Sequence, residues 1–414
     1  MQLIELSCSD RLIVEAGALF TGYSFIAGNH IRVHIADGKI EQIEEDNDQL
    51  IPPIGHKNYR VIGGDHLTII PCFIDCHVHL ALDGVNSPLE KQRMNPLLLK
   101  DRLQDRLFSY LIHGIAAVRD GGDREGIGLA CRDMVDGMEL KGPLVMASGK
   151  ALRKNGGYGS FLGPGLASGE FAQIIKRYAL EGINQVKVLV SGIVSFKEYG
   201  RVGSVQFDLK ELSQIVQIAG DYGLKVMAHA SSDEAVRLCI EAGVHSVEHG
   251  YFVSEESLMA MAEKGVALVP TVVPVAVQNQ LRPDGRYTKD QLVIEQTYRR
   301  QLRMIRRAQQ LGVIIGVGTD AGAAGVQHGA GYWQELQLFR EAGLTTEEIL
   351  TAATRNAAYI AGLEDTMGLI APGRPAYLLV VNNDLSFESG QLSGIRYMIR
   401  PKPDAGAVSS FHYA

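Results

Sequence analysis

From Thr68 onward the chain repeats one unit, a short run rich in β-branched residues followed by a longer segment of helical periodicity. The runs are IIPCFIDCHVHL near residues 69–80, IAAVRD from Ile115, PLVMASG from Pro143, QVKVLVSG from Gln185, KVMAHA from Lys225, HSVEHG from His245, VALVPT from Val266 and VIIGVGTD from Val313. Strands alternating with helices predict an α/β fold with parallel pairing, and eight units are the number that closes a (β/α)8 TIM barrel. A chain of 414 residues that is 46% hydrophobic can fill such a core and a smaller one besides. The last helix is marked at both ends: Thr345 and Glu348 form a T-x-x-E capping box, Ile349, Ala353, Ala357 and Ile360 make the buried stripe, and Gly362 stops it.

The flanks read differently. Up to Leu67, β-like runs alternate with turns, Asp37-Gly38 among them as a hairpin signal, and the run ends in the acidic EEDND; MGLIAPGRPAYLLVVNNDL returns to strand-like alternation after the last helix. These segments predict one small discontinuous domain, 1–67 with 364–414, around a barrel at 68–363.

Composition excludes several function classes. The net charge is −7, and the one Arg-dense stretch, Arg299 to Arg307, carries Leu302 and Ile305 at spacings that suit a half-buried helix, so no nucleic-acid partner is expected. Five cysteines at irregular spacing predict reduced thiols, with Cys72 and Cys76 as small core residues on a strand. The start, MQLIELSCSDRL, lacks a secretory pattern, no stretch reaches ~18 unbroken apolar residues, and Val266 to Val277 is interrupted by Pro270 and Pro274. No membrane partner is expected; a cytoplasmic, homo-oligomeric protein acting on a small molecule is.

His77 and His79, two apart in a strand, point the same way and can share a metal ion. They end the first run, where such barrels place active-site residues. Lys187 lies between valines in a buried strand, where an unpaired ammonium would carry a desolvation penalty of several kcal/mol. Three resolutions stand open: a depressed pKa, reaction of the neutral amine with CO2 to give an anionic carbamate ligand, or an ion pair with Asp75 or Glu248. His229 and His249 each end a run as further nitrogen donors, and Asp320 closes the eighth run beside the first, where it can touch both metal and water. His245 is too far along its strand to share an ion with His249, and His113 precedes the second run at the structural face. His30, His34, His56 and His66 belong to the accessory segment. His328 follows the eighth run in a Gly-rich loop over the barrel mouth.

PCFIDCHVHL, VKVLVSG, MAHA, VEHG and GTDAG, in that order, resemble the amidohydrolase superfamily, most closely its Xaa-Pro dipeptidase and imidazolonepropionase-like group. GIAAVRDGG, MAEKGVALVPT and AATRNAAYIAGLEDTMGLIAPGRPAYLLVV extend the likeness beyond the barrel runs. The resemblance implies that His77, His79 and Asp320 hold one divalent ion, that His229 and His249 hold a second, and that a carboxylated Lys187 bridges them. It also implies that the flanking segments form a small β-sandwich. Zn²⁺ is the expected metal, with Mn²⁺, Fe²⁺ or Co²⁺ accepted by the same donors. Two departures stand out: Asn155-Gly156-Gly157-Tyr158 replaces the usual Gly-Gly-His run of dipeptidase-like members, which weakens a specific peptidase reading, and Ala376-Tyr377-Leu378 replaces the usual Ala-Asp-Leu.

The mechanism so implied uses a metal-bridging hydroxide, with Asp320 as the catalytic base that returns its proton to the leaving group. Substrate contacts are expected from the loops after the strands, at Arg153, Lys154 and Tyr158, at Ser195, Lys197, Tyr199 and Arg201, and at His328 and Trp333. Several cations near one mouth suggest a carboxylate-bearing substrate, an N-acyl amino acid or dipeptide cleaved at its amide or peptide-like bond. A lactone, ester or cyclic imide is the alternative substrate. A mononuclear deaminase, which would not need Lys187, and a catalytically silent barrel are the competing readings.

Overall fold

The computed structural model describes residues 1–45, 59–84, 96–280, 289–383, 385, 387 and 394–402. His56 and the end of the acidic EEDND run lie outside them. Among the described residues, no helix is long and apolar enough to cross a membrane.

Both ends of the chain meet in one seven-stranded sheet, ordered Gln2–Leu6, Ile395–Pro401, Leu378–Asn382, Arg60–Pro71, Arg11–Phe20, Phe25–Ala36 and Lys39–Glu45. Asp37 and Gly38, with φ of 52° and 70°, make the hairpin turn that the sequence signals. The sheet encloses its own apolar cluster, in which Val14, Leu19, Ile31, Val33, Ile69, Leu378 and Ile399 are buried. The first run is divided here. Ile69 to Pro71 complete a strand of this sheet, Cys72 N donates to Tyr377 O (3.0 Å), and the parallel strand starts at Phe73. The expected divide at 67/68 therefore falls inside the strand Arg60–Pro71, because that strand pairs along its end with Leu378–Asn382.

The remaining strands are parallel, giving a TIM-barrel-like α/β fold. Phe73–Val78, Ile115–Asp120 and Leu144–Ala147 form one sheet; Gln185–Leu189, Lys225–Ala230, Ser246–His249 and Ala267–Val269 form another. Short bridges join them on one side, where Leu152 N donates to Lys187 O (2.8 Å) and Leu189 N to Leu152 O (2.9 Å). On the other side lies the eighth run. It contains no named strand, yet Leu268 N donates to Ile314 O (2.8 Å), Cys76 N to Val317 O (2.8 Å) and His79 N to Ala321 O (2.8 Å), so it touches both neighbours. Its glycines are needed for that approach: a Cβ on Gly318 would lie 2.9 Å from His77 Cβ and 3.0 Å from His77 N.

The helices alternate with these strands along the chain. Asp208 with Glu211 and Thr345 with Glu348 make complete capping boxes. The last helix breaks in two, Thr346–Ala353 and Arg355–Ala361, at Thr354 (φ −124°, ψ −86°), while Gly362 takes the left-handed cap conformation as expected. The Arg-dense stretch sits in the helix Lys289–Gln310, with Leu302 and Ile305 buried and Arg299 and Arg307 paired to Glu295 and Glu255. Charge there faces solvent, as a half-buried helix requires.

Gly318→Ala should lower the unfolding free energy by about 1–3 kcal/mol, the usual cost of forcing a methyl group into a filled space. Denaturant titration of the two proteins checks this, and an unchanged midpoint would show that the eighth run tolerates a wider gap.

Candidate functional site

The last residues of the first run and the first after the eighth converge. His77, His79 and Asp320 each offer one donor atom, and the three atoms lie within 4.8 Å of one another. Asp320 Oδ1 is 3.3 Å from His79 Nε2 and 3.5 Å from His77 Nε2. The outer face of each imidazole is fixed. His77 Nδ1 meets Glu248 Oε2 at 2.8 Å and donates to it, while Glu248 Oε1 accepts from Arg119 Nη2 (2.7 Å) and Ser246 Oγ (2.6 Å). Arg119 is anchored in turn, its Nε donating to Cys76 O at 2.6 Å. His79 Nδ1 donates to Gly122 O at 2.9 Å.

With both Nδ1 atoms committed as donors, both Nε2 atoms turn lone pairs toward a carboxylate. Three acceptors facing one point make a place that a cation could fill. The titration behaviour says the same: despite burial, the hydrogen bond to Asp320 raises His79, so a proton is drawn to that place when nothing else fills it. Asp320, whose burial alone would push it up, is held below the usual carboxylate value by His79, His77 and Lys187. The donor set fits a divalent metal ion.

Lys187, His229 and His249 stand around this trio without joining it. Lys187 Nζ is 3.3 Å from His77 Nε2, and burial lowers its pKa to about 8 against the pull of Glu248 and Asp320. Of the three resolutions open for this lysine, the ion pair is not formed: Glu248 bonds to Arg119 and His77, and Asp75 accepts from Thr319 N and Oγ1. The rings of His229 and His249 are 4.5 Å apart, and His249 lies 5.1 Å from His77. Burial first, and then Lys187, brings His229 down to about 4; burial, then His229 and His77, depresses His249 as well. Both are neutral imidazoles at physiological pH. His229 Nε2 points at Gly192 O (3.3 Å) and His249 Nδ1 at Thr271 Oγ1 (2.7 Å).

The backbone is strained where these residues sit. His249, Thr271 and Asp320 have φ of 73°, 47° and 56°, a left-handed region costly for any side chain and most of all for a β-branched one. The buried carboxyl of Glu335 accepts from Val272 N and Val273 N, both at 2.8 Å, and so holds the turn that places Thr271 against His249. Gly121 leaves room for the imidazoles, since a Cβ there would lie 2.8 Å from His79 Cε1.

A cavity of about 310 Å³ opens above the cluster, lined at its floor by His77, His79, Lys187, His229, His249 and Asp320. Tyr158 also lines it, its ring 5.5 Å from that of His229. The other anticipated substrate contacts are elsewhere. Arg153 is buried and donates to the carbonyls of Gly163, Lys154 and Gly157 within its own loop. Arg201 pairs with Glu198 at the surface, and the exposed Tyr199 packs its ring against Phe252. His328, brought down to about 3 by burial and Arg106, uses both ring nitrogens, at 2.7 Å to Tyr110 Oη and 2.8 Å to Leu82 O. It holds the loop after the eighth run and does not line the cavity. Trp333 is buried against Phe73, and Lys154 pairs with Glu211. Away from the centre, His113 Nδ1 meets Ser109 O and His245 Nδ1 accepts from Val226 N.

Sequence reasoning overlooked Arg119, Thr271 and Glu335, and saw Glu248 only as a partner for Lys187. Arg119 and Glu335 carried the same signal as that lysine, a charged residue amid apolar neighbours in a buried element.

Known proteins resemble the chain over most of its length. The model of the amidohydrolase family matches residues 68–402. An imidazolonepropionase of Paracidovorax citrulli is 27% identical over 365 residues, 79% of each chain. An uncharacterized Mycobacterium tuberculosis protein is 31% identical over 147 residues, and the match spans 35% of this chain and only 39% of that relative. A crystal structure of a Xaa-Pro dipeptidase with methionine bound in its active site superposes with a TM-score of 0.78 at 25% identity, covering 94% of this chain and 98% of the other.

Two outcomes follow from the geometry. Glu248→Gln should weaken zinc binding by about 10–100-fold, the usual effect of losing the partner that orients a ligating histidine, and chelator competition measures it. In metal-free protein, Lys187 titrates near 8 when folded and near 10.5 when unfolded, so the unfolded chain holds the extra proton between those values and stability rises with pH across that window. Below about pH 8 both states are protonated, so the slope vanishes and the full cost of the buried ammonium stands. Lys187→Met should flatten the rise in denaturant titrations from pH 8 to 10.5, and an equally steep slope in the variant would assign it to another group.

Proposed function

The chain belongs to the amidohydrolase family, and from that premise we propose that it is a metal-dependent hydrolase cleaving an amide or peptide-like bond, with Asp320 as the residue that moves the proton. The observation that carries the reading is the convergence of three acceptor atoms, on His77, His79 and Asp320, whose lone pairs face one another.

We assign the first divalent ion, zinc by preference, to His77, His79 and Asp320, and a second to His229, His249 and a carbamate on Lys187. The amine is suited to that modification because its lowered pKa leaves part of it neutral near physiological pH. When bound, such ions polarise a carbonyl and lower the pKa of water from 15.7 to about 7. The protein's own residues do the rest. Asp320 is ionised and partly open to the cavity, so it can take a proton from the attacking water and pass it to the leaving nitrogen. The depressed imidazoles keep their lone pairs free. Burial keeps the Tyr158 phenol protonated, an O–H donor above the floor for the carbonyl oxygen as it gains charge. In this reading the parallel runs form one closed eight-stranded barrel, and the terminal sheet with its separate core is the small β-sandwich domain, the two dividing near Cys72.

Asp320→Asn should reduce turnover of an amide substrate by at least about 10²–10⁴ in zinc-loaded protein. Near-full turnover with the ions still bound, counted by elemental analysis, would remove Asp320 from the proton path.

A further inference from the structure

The cavity walls, above the histidine–carboxylate cluster, are largely apolar. Phe161 and Leu162 come from the loop after the third run, Ile193, Val194 and Phe196 from the loop after the fourth, and Tyr251 from the loop after the sixth. The loops that carry these side chains also carry the cations expected to receive a substrate carboxylate, and each cation is turned elsewhere. The Arg153 guanidinium is spent on three loop carbonyls. Lys154 Nζ sits 2.6 Å from Glu211 and Arg201 Nη1 2.8 Å from Glu198, both away from the cavity. Lys197 is exposed and lines no part of it. His328 is neutral and engaged at both nitrogens. Among the described residues, no lysine or arginine lines the cavity outside the floor, and the one carboxyl side chain lining it there is Asp83.

A carboxylate on the substrate would thus leave water for largely apolar walls, with no described lysine or arginine in the wall to pair with it. An aryl or branched alkyl group would gain from the same surroundings, by area removed from water and by ring-to-ring contact with Phe161, Phe196 or Tyr251. We propose that this site selects an uncharged amide carrying an aromatic or branched apolar group, and discriminates against substrates that bear a free carboxylate. The proposal rests on the amide-hydrolase reading and narrows its substrate class. Ile193, large, apolar and 55% exposed, stands in the wall of the cavity.

The test compares matched pairs that differ only in the charged group: acetanilide against 4-acetamidobenzoate, and N-benzoyl-leucinamide against N-benzoyl-leucine. In zinc-loaded protein, kcat/KM should be at least tenfold higher for the neutral member of each pair; a preference for the carboxylate member overturns the proposal. Calorimetric binding of the same pairs to metal-free protein reads the walls without turnover, and the neutral member should bind at least fivefold more tightly. Equal binding, tighter binding of the carboxylate member, or no binding of either neutral compound would overturn it. If no member of any pair is hydrolysed, the amide-hydrolase reading fails, while the binding comparison still decides the preference for neutral ligands. Ile193→Arg supplies the missing cation and should narrow or reverse the preference in both measurements; an unchanged preference would place the discrimination outside this wall and refute the assignment.

Discussion

Two imidazole nitrogens and a carboxylate oxygen within 4.8 Å of one another are the interaction on which this site is organised. The imidazoles are held in that arrangement because each is fixed from behind. The Arg119 guanidinium and the Ser246 hydroxyl hold Glu248, Glu248 holds His77 Nδ1, and the Gly122 carbonyl holds His79 Nδ1. Arg119 and Glu248 are themselves buried, in strands of two different sheets, and the removal of either would leave an unpaired charge there. The donor atoms are thus positioned by the scaffold itself.

The same logic explains the irregular backbone. A regular strand would carry His249 and Asp320 along the ring wall; the left-handed turns at these residues swing their side chains inward. Such turns cost energy locally and need support. Glu335 supplies it at Thr271 by accepting two backbone N–H groups, and Asp75 supplies it near Asp320 by accepting from Thr319 N and Oγ1. Burial pushes these two carboxyl groups up, Glu335 to about 8 and Asp75 to about 7, so both are acids placed where water would have kept them charged and the turns now compensate them.

What could be read from the sequence follows from what is periodic in it. The parallel runs, the hairpin at Asp37-Gly38, the capping box at Thr345 and the stop at Gly362 were legible because each rests on local chemistry. The ligand candidates were legible because they end strands whose direction is known, and parallel strands gather their ends in space. Less legible was anything that depends on two distant segments choosing each other. The first run looks continuous from Ile69 to Leu80, and only the pairing of Arg60–Pro71 with Leu378–Asn382 divides it at Cys72. Thr354 breaks a helix whose buried stripe continues on both sides, a break that the pattern of apolar residues does not mark.

Charged loop residues show the limit most sharply. In sequence, Arg153, Lys154, Lys197 and Arg201 are four cations near one mouth; in space, a guanidinium reaches several ångströms and takes the nearest unsatisfied acceptor. The loop after the third run exposes carbonyls at Gly157 and Gly163 that Arg153 covers, and a helix begins beside it with Glu211 in its first turn. Arg153, Lys154 and Arg201 are therefore claimed by the loop or helix that carries or adjoins them, and Lys197 is exposed, leaving apolar side chains of the same loops to face the cavity. Charge counted along a chain measures how much a loop has to satisfy as much as what it offers a ligand, and the balance is decided by which carbonyls and carboxylates the fold brings within reach.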